Sequence, residues 1–208
     1  MQSLFQTDNG RNGDLGHVLA WWLAQPLSEG PTTTQELATT LRTKVSFEGL
    51  EWRSSKGKQI TVNEARARQA ALWLSYLGLG WEHGDSAATS SNIQPDPSTY
   101  LRSQFHRHLP KNGAGARVSE IWQSISEESP FLEGGRYAQN LERAGLLQDR
   151  GNSFTQSVSL ALRRLHEEGS IQLIEQSDAA SRHLRILTWG SGSHDRITHI
   201  ARGPKSAG

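Results

Sequence analysis

The sequence contains no cysteine, and this absence excludes several kinds of chemistry. Among its 208 residues there is no thiol to form a disulfide, to ligate zinc or to act as a nucleophile. No apolar run reaches the length that spans a membrane, and the N-terminus lacks the apolar core of a signal peptide. We therefore predict a cytoplasmic protein without membrane contact.

An excess of charge of one sign is also missing. The formal net charge is +1, so the chain as a whole does not have the character of a strong nucleic-acid binder. The charge is nevertheless unevenly distributed: residues 115–149 carry three basic and six acidic groups, whereas residues 150–208 carry eight basic and five acidic groups. The basic C-terminal part favours weak, salt-sensitive contact with a few phosphates. An ordinary mixed surface explains the same counts equally well.

Hydrophobic residues are few, at 35% of the chain, while glycine contributes 20 residues. This composition predicts modest cores joined by many turns. Seven tryptophans compensate, because each can bury a large apolar area and anchor a small core.

The most informative pattern begins at Ser153 as a helix. The hydroxyl of Ser153 or Thr155 can cap the first turn. Apolar residues at helical spacing then share one face: Val158, Leu162 and Leu165. Gly169 follows, and glycine readily takes the left-handed conformation that ends a helix.

Two short strands are predicted after this helix. Apolar and polar residues alternate at 171–173 and again at 184–186, as in half-buried strands, and residues 176–183 form a long polar loop between them. A capped helix followed by such a hairpin is the outline of a recognition helix and its wing. We therefore predict a winged helix, although a plain helix and hairpin without a ligand would give the same pattern.

The N-terminal half predicts three helices. The first ends at Pro26, and the next two open at candidate capping boxes, Thr33 with Glu36 and Thr61 with Glu64. The inner face of the third helix is predicted to consist of Ala65, Gln69, Leu72, Trp73, Tyr76 and Leu77. A helix-turn-helix module and a plain three-helix bundle explain this half equally well.

These patterns divide the chain into five parts. We predict a flexible lead-in at 1–13, a helix-turn-helix-like domain at 14–83, a polar linker at 84–95, a winged-helix-like domain at 96–200 and a tail at 201–208. Within the last part of the chain, Ile197 and Ile200 predict one further short strand. The predicted fold class is mainly α with small β-hairpins, an α+β protein built from tandem helix-turn-helix and winged-helix modules.

No motif in the sequence predicts catalysis. His106 and His108 flank Arg107 on a predicted helix at about 200° from each other, so they cannot chelate one metal from that helix. The sequence has no phosphate-binding lysine loop, no serine elbow and no nuclease-like set of carboxylates with a lysine. We therefore predict a protein that is not an enzyme and that uses no metal or cofactor.

Five short motifs, taken in order, resemble a known family. They are LSYLGLGW at 74–81, QPDP at 94–97, FLEGGRY at 131–137, SVSLALRRLHEEG at 157–169 and QSDA at 176–179. Their order resembles the DpdG-like proteins, which are encoded in bacterial gene clusters that install 7-deazaguanine bases in DNA and restrict foreign DNA. Members of that family are longer at the N-terminus, so the resemblance implies a shortened or split relative. It supplies no catalytic residues.

The wing pattern and the resemblance together predict a non-catalytic winged-helix component of an anti-phage modification and restriction system. Such a component contacts DNA or scaffolds partner proteins. The candidates for phosphate or base-edge contact are the arginines of the helix and wing: Arg163, Arg164, Arg182 and Arg185. Two alternatives stay open, a stand-alone transcriptional regulator and a winged helix that binds protein only. The modest charge and the lack of an obvious dimerisation helix disfavour the regulator.

Overall fold

The computed structural model describes residues 13–43, 64–83, 91–148, 151–177, 182–183 and 196–204. Several predicted features lie outside the described residues. These are most of the lead-in, the Thr61 cap, the strand at 184–186 with Arg185, and the end of the tail.

In the N-terminal half, the described residues form three helices and a β-hairpin. Helix α1 spans Gly13–Leu23, α2 spans Thr34–Thr43 and α3 spans Glu64–Tyr76. Strands β1 (Gly80–His83) and β2 (Asn92–Pro95) then pair antiparallel. The division into domains stays a prediction, but residues 92–95 of the predicted linker belong to a strand whose Ile93 is buried.

The C-terminal half continues with four helices and five short strands among the described residues. They are α4 (Ser98–His108), β3 (Ala116–Arg117), α5 (Val118–Glu128), α6 (Arg136–Arg143), α7 (Gln156–Glu167), β4 (Ile171–Ile174), β5 (Arg182–His183), β6 (Arg196–Ile197) and β7 (His199–Arg202). Helices with small antiparallel strands confirm the predicted α+β class.

A three-stranded antiparallel sheet joins distant parts of this half. Strand β7 lies in its centre, between β3 and β4, and Ile200 is opposite both Ala116 and Leu173. The sequence predicted that residues 171–173 pair with 184–186, whereas the described partner of β4 is β7. Ile200 and Ala201 are both buried, as a central strand requires. Strands β5 and β6 form a separate pair within the β4–β7 connection.

The predicted inner face of α3 is wrong. Leu72 and Tyr76 are 61% and 65% exposed, and the buried face consists of Ala67, Ala70, Ala71 and Leu74. Helix α2 packs against α3, and short alanine side chains allow two helix backbones to approach closely. The bulkier side chains on the opposite side therefore face solvent.

The predicted cap of α2 is confirmed, with one variation. The Glu36 amide donates to Thr33 Oγ1 at 3.1 Å, while the Glu36 carboxylate accepts from the amide of Thr32 at 2.8 Å, one residue before the cap. The hydrogen bond from the Thr32 amide, followed by that from its hydroxyl, lowers the pKa of Glu36. The ionised carboxylate is thus part of the cap.

Helix α1 packs against α6 at a glycine. A Cβ on Gly16 would lie only 2.2 Å from Cε2 of Tyr137, and the Tyr137 ring is fully buried. His17 contacts the same ring at 4.7 Å between centroids, and the Arg136 guanidinium lies 4.8 Å from its centre. The glycine therefore makes room for the ring that joins the two halves of the chain.

We predict that Gly16→Ala destabilises the fold by about 1–3 kcal/mol, because the added methyl overpacks a ring held on several sides. The same change in an unhindered helix would stabilise it by up to about 1 kcal/mol. The sign of the change in unfolding free energy therefore shows whether the helices approach closely at Gly16. Urea unfolding followed by circular dichroism measures it. A more stable Gly16→Ala protein would contradict the close contact.

Candidate interaction surface around helix α7

Helix α7 is built as its sequence predicts. Thr155 is the N-cap, and its hydroxyl accepts from the Val158 amide at 3.3 Å. The predicted apolar face is buried, and Gly169 follows the helix with a φ of +72°. Solvent reaches the other side of the helix, where Leu160 is 36% exposed.

The first turn of α7 is held by the end of α1 and by the connection that follows it. The Ser157 hydroxyl donates to the Leu23 carbonyl at 2.6 Å, and the Leu27 amide donates to Gln156 Oε1 at 2.8 Å. Ser157 and Ser159 are both buried. The first turn of α7 is therefore engaged in contacts within the chain.

The two arginines of α7 project from its C-terminal half and form ion pairs. Arg163 Nε lies 2.9 Å from Glu167 Oε1, one turn further along the helix. Arg164 pairs with Asp96, which also accepts from the Ser98 amide at the start of α4. Acidic partners therefore neutralise both cations.

A further arginine, Arg102 of α4, pairs with Glu168 at the end of α7. The sequence analysis missed this contact and the role of Asp96. Leu101 and Phe105 are buried, and their spacing places Arg102 outside the buried face of α4. No sequence pattern indicates that α4 packs against α7. The surface around α7 thus has alternating charges of both signs.

Arg182 lies at the other end of the helix. Its guanidinium is 4.7 Å from the centre of the Phe154 ring and 5.9 Å from that of Trp122, and these two rings meet edge to face at 4.6 Å. Burial lowers the pKa of Arg182, and the negative charge of Glu133 opposes that shift. Glu133 also accepts from the Thr155 amide at 2.6 Å, so Arg182 belongs to the structure that starts α7.

The structure therefore brings Arg163 and Arg164 together on one part of α7 and places Arg182 beside the aromatic pair at its start. Arg185 lies outside the described residues. Whether these arginines contact nucleic acid stays a prediction.

Two other observations bear on chemistry. Within the part of the chain that the structure describes, no three His, Asp or Glu side chains are grouped as metal ligands. None of the described helices combines the length and apolar character needed to cross a lipid bilayer.

Fold and surface together define an α+β protein whose α7 arginines already have acidic partners. Comparison with known proteins then identifies the family: the chain belongs to the DpdG-like family, whose model matches residues 2–179. No curated protein and no solved structure matches it.

We predict that Arg182→Ala lowers the free energy of unfolding by about 1–2 kcal/mol, because a partly desolvated cation–π contact is lost. Arg163→Ala is the matched control and should cost about 0.5 kcal/mol or less, as expected for an exposed i,i+4 ion pair. Thermal and urea unfolding compare the two proteins. Equal losses of unfolding free energy in the two variants would show that the contact of Arg182 with the aromatic rings adds no stability beyond that of an exposed ion pair.

Proposed function

We propose that this chain is a cytoplasmic, non-catalytic winged-helix component of a 7-deazaguanine DNA modification and restriction system in anti-phage defence. We further propose that it acts mainly by binding partner proteins of that system. Membership of the DpdG-like family supports the setting.

The order of elements in the C-terminal half supports the winged-helix assignment. Helix α4 leads into β3, α5 and α7 follow, and β4 and β7 complete a sheet with β7 in the centre. In this assignment, α7 is the recognition helix and the β5–β6 pair belongs to the wing. The short α6 is an addition to this order, and it packs against α1.

The observation that carries the protein-binding role is the engaged first turn of α7. A recognition helix reads bases with its N-terminal residues, and here those residues bond to the α1 end. The exposed side of α7 offers Leu160 beside the Arg163–Glu167 ion pair. An apolar side chain surrounded by charges of both signs suits a protein interface with a polar rim.

We predict that Leu160→Glu weakens complex formation with proteins encoded in the same gene cluster by at least about tenfold, because it places a charge in the centre of the contact. Leu72→Glu is the matched control: it changes another exposed leucine, on α3, and should leave affinity unchanged. Biolayer interferometry with purified cluster proteins measures both, and circular dichroism verifies folding. Full binding by Leu160→Glu, or equal loss in both variants, would contradict a role for this face.

DNA contact is the second candidate function, and the exposure of the α7 cations favours it. The side chain of Arg164 is 56% exposed and that of Arg163 is 35% exposed. Surface ion pairs contribute only about 0–1 kcal/mol, so phosphates can compete for both arginines. Such binding is electrostatic and depends on salt.

We predict weak duplex binding at low salt that is lost when Arg163, Arg164, Arg182 and Arg185 are all changed to alanine. Changing only Arg163 and Arg164 should reduce the slope of log affinity against log salt by about 2, one for each phosphate contact. Fluorescence anisotropy with a labelled duplex measures this, and Arg68→Ala on α3 serves as a control for the loss of one positive charge away from α7. If the four-residue variant retains both DNA binding and complex assembly, these arginines have neither role.

A further inference from the structure

A cleft of about 350 Å³ lies between the β1–β2 hairpin and the connection from α1 to α2. This volume is within the range of about 300–1,000 Å³ that is usual for small-molecule sites. The cleft belongs to the N-terminal half, and none of the candidate arginines that the structure describes is among its lining residues.

One face of the hairpin forms a wall of this cleft. Trp81 is directly opposite Gln94, and His83 is directly opposite Asn92. Directly opposed residues of an antiparallel pair, and residues two apart on one strand, point to the same side. These four side chains therefore share a face, and all four residues are exposed.

The chemistry of this face is specific. An indole, an imidazole and two carboxamides are all planar, and the two carboxamides make no hydrogen bond to another described residue. Pro26 and Pro31 contribute apolar surface from the α1–α2 connection. None of the described lining residues is Asp, Glu, Lys or Arg, so the cleft suits a neutral group.

We propose that this cleft binds one unpaired purine base, stacked on Trp81 and hydrogen-bonded along its edge by Asn92 and Gln94. Proteins bind unpaired bases by stacking them on aromatic side chains and by hydrogen bonds to their edges. Carboxamides carry both donors and acceptors, as the edge of a purine does. A bicyclic base covers the indole more fully than a pyrimidine does, and its sugar and phosphate stay outside the uncharged cleft.

A proline-rich peptide fits the observations less well. Such peptides dock into grooves lined by aromatic side chains. The other tryptophan of the cleft, Trp22, is buried, and its indole N–H already donates to the Pro31 carbonyl at 3.2 Å. Among the described lining residues, Trp81 is thus the one Trp, Tyr or Phe side chain with substantial exposure, at 46%.

Calorimetric titration of the full chain with the four 2′-deoxynucleosides tests the proposal. Deoxyguanosine or deoxyadenosine should bind more tightly than the pyrimidine nucleosides, and deoxyribose 5-phosphate should not bind. Trp81→Ala should weaken purine binding at least about tenfold because the stacking surface is lost. Gln94→Ala should weaken it less and change the ratio between the two purines.

Two controls separate this site from other contacts. Tyr76→Ala removes an exposed aromatic residue of α3 that is not among the lining residues, and it should leave nucleoside affinity unchanged. The Arg163→Ala/Arg164→Ala variant should also bind nucleosides normally, so failure of the α7 proposals would not imply failure here. No nucleoside binding at millimolar concentration, equal binding by Trp81→Ala, or binding of a proline-rich peptide in place of nucleosides would overturn the proposal.

Discussion

The hydrogen bond from the Ser157 hydroxyl to the Leu23 carbonyl fixes the start of α7 to the end of α1. Both groups lie in the core, where a lost partner costs about 1–3 kcal/mol because the remaining group stays unsatisfied. The bond accompanies the Gly16–Tyr137 contact, so α1 is held at α6 and at α7. Any partner that approaches α7 consequently meets a surface formed by both halves of the chain.

A second constraint acts on α7 from the side on which Arg182 of β5 lies. Glu133 accepts from the Thr155 amide and lies near Arg182, and its backbone carbonyl accepts from the Trp122 indole at 2.9 Å. One short segment before α6 thus orients the helix start, a core tryptophan and the first residue of β5. The position of β5 is coupled to the beginning of α7 by these shared contacts.

Local signals in the sequence were sufficient for the helices. Thr33, Thr155 and Gly169 mark helix ends through hydroxyl caps and a left-handed glycine, and the structure uses all three. Hydropathy was misleading on α3, because burial there follows the need for small side chains at a close helix contact rather than apolar character. Leu72 and Tyr76 are exposed for that reason.

Contacts between residues far apart in the chain could not be predicted from the sequence. Asp96 and Arg164 are separated by 68 positions, and no local pattern relates them, so the neutralisation of Arg164 could not be predicted. The same holds for the cleft, since Trp81 and Gln94 become neighbours only through the register of a hairpin. By contrast, the placement of Arg163 and Arg164 away from the buried face of α7 follows directly from helical spacing.

The central position of β7 has a consequence for how the chain assembles during synthesis. Ala116 in β3 finds its partner only when Ile200 has been made, and β4 depends on the same late strand. The helices of the C-terminal half can form as they emerge, but two strand edges remain open until β7 has left the ribosome. The family match ends at residue 179, before β7, so the region defined by sequence similarity is shorter than the unit that closes this sheet.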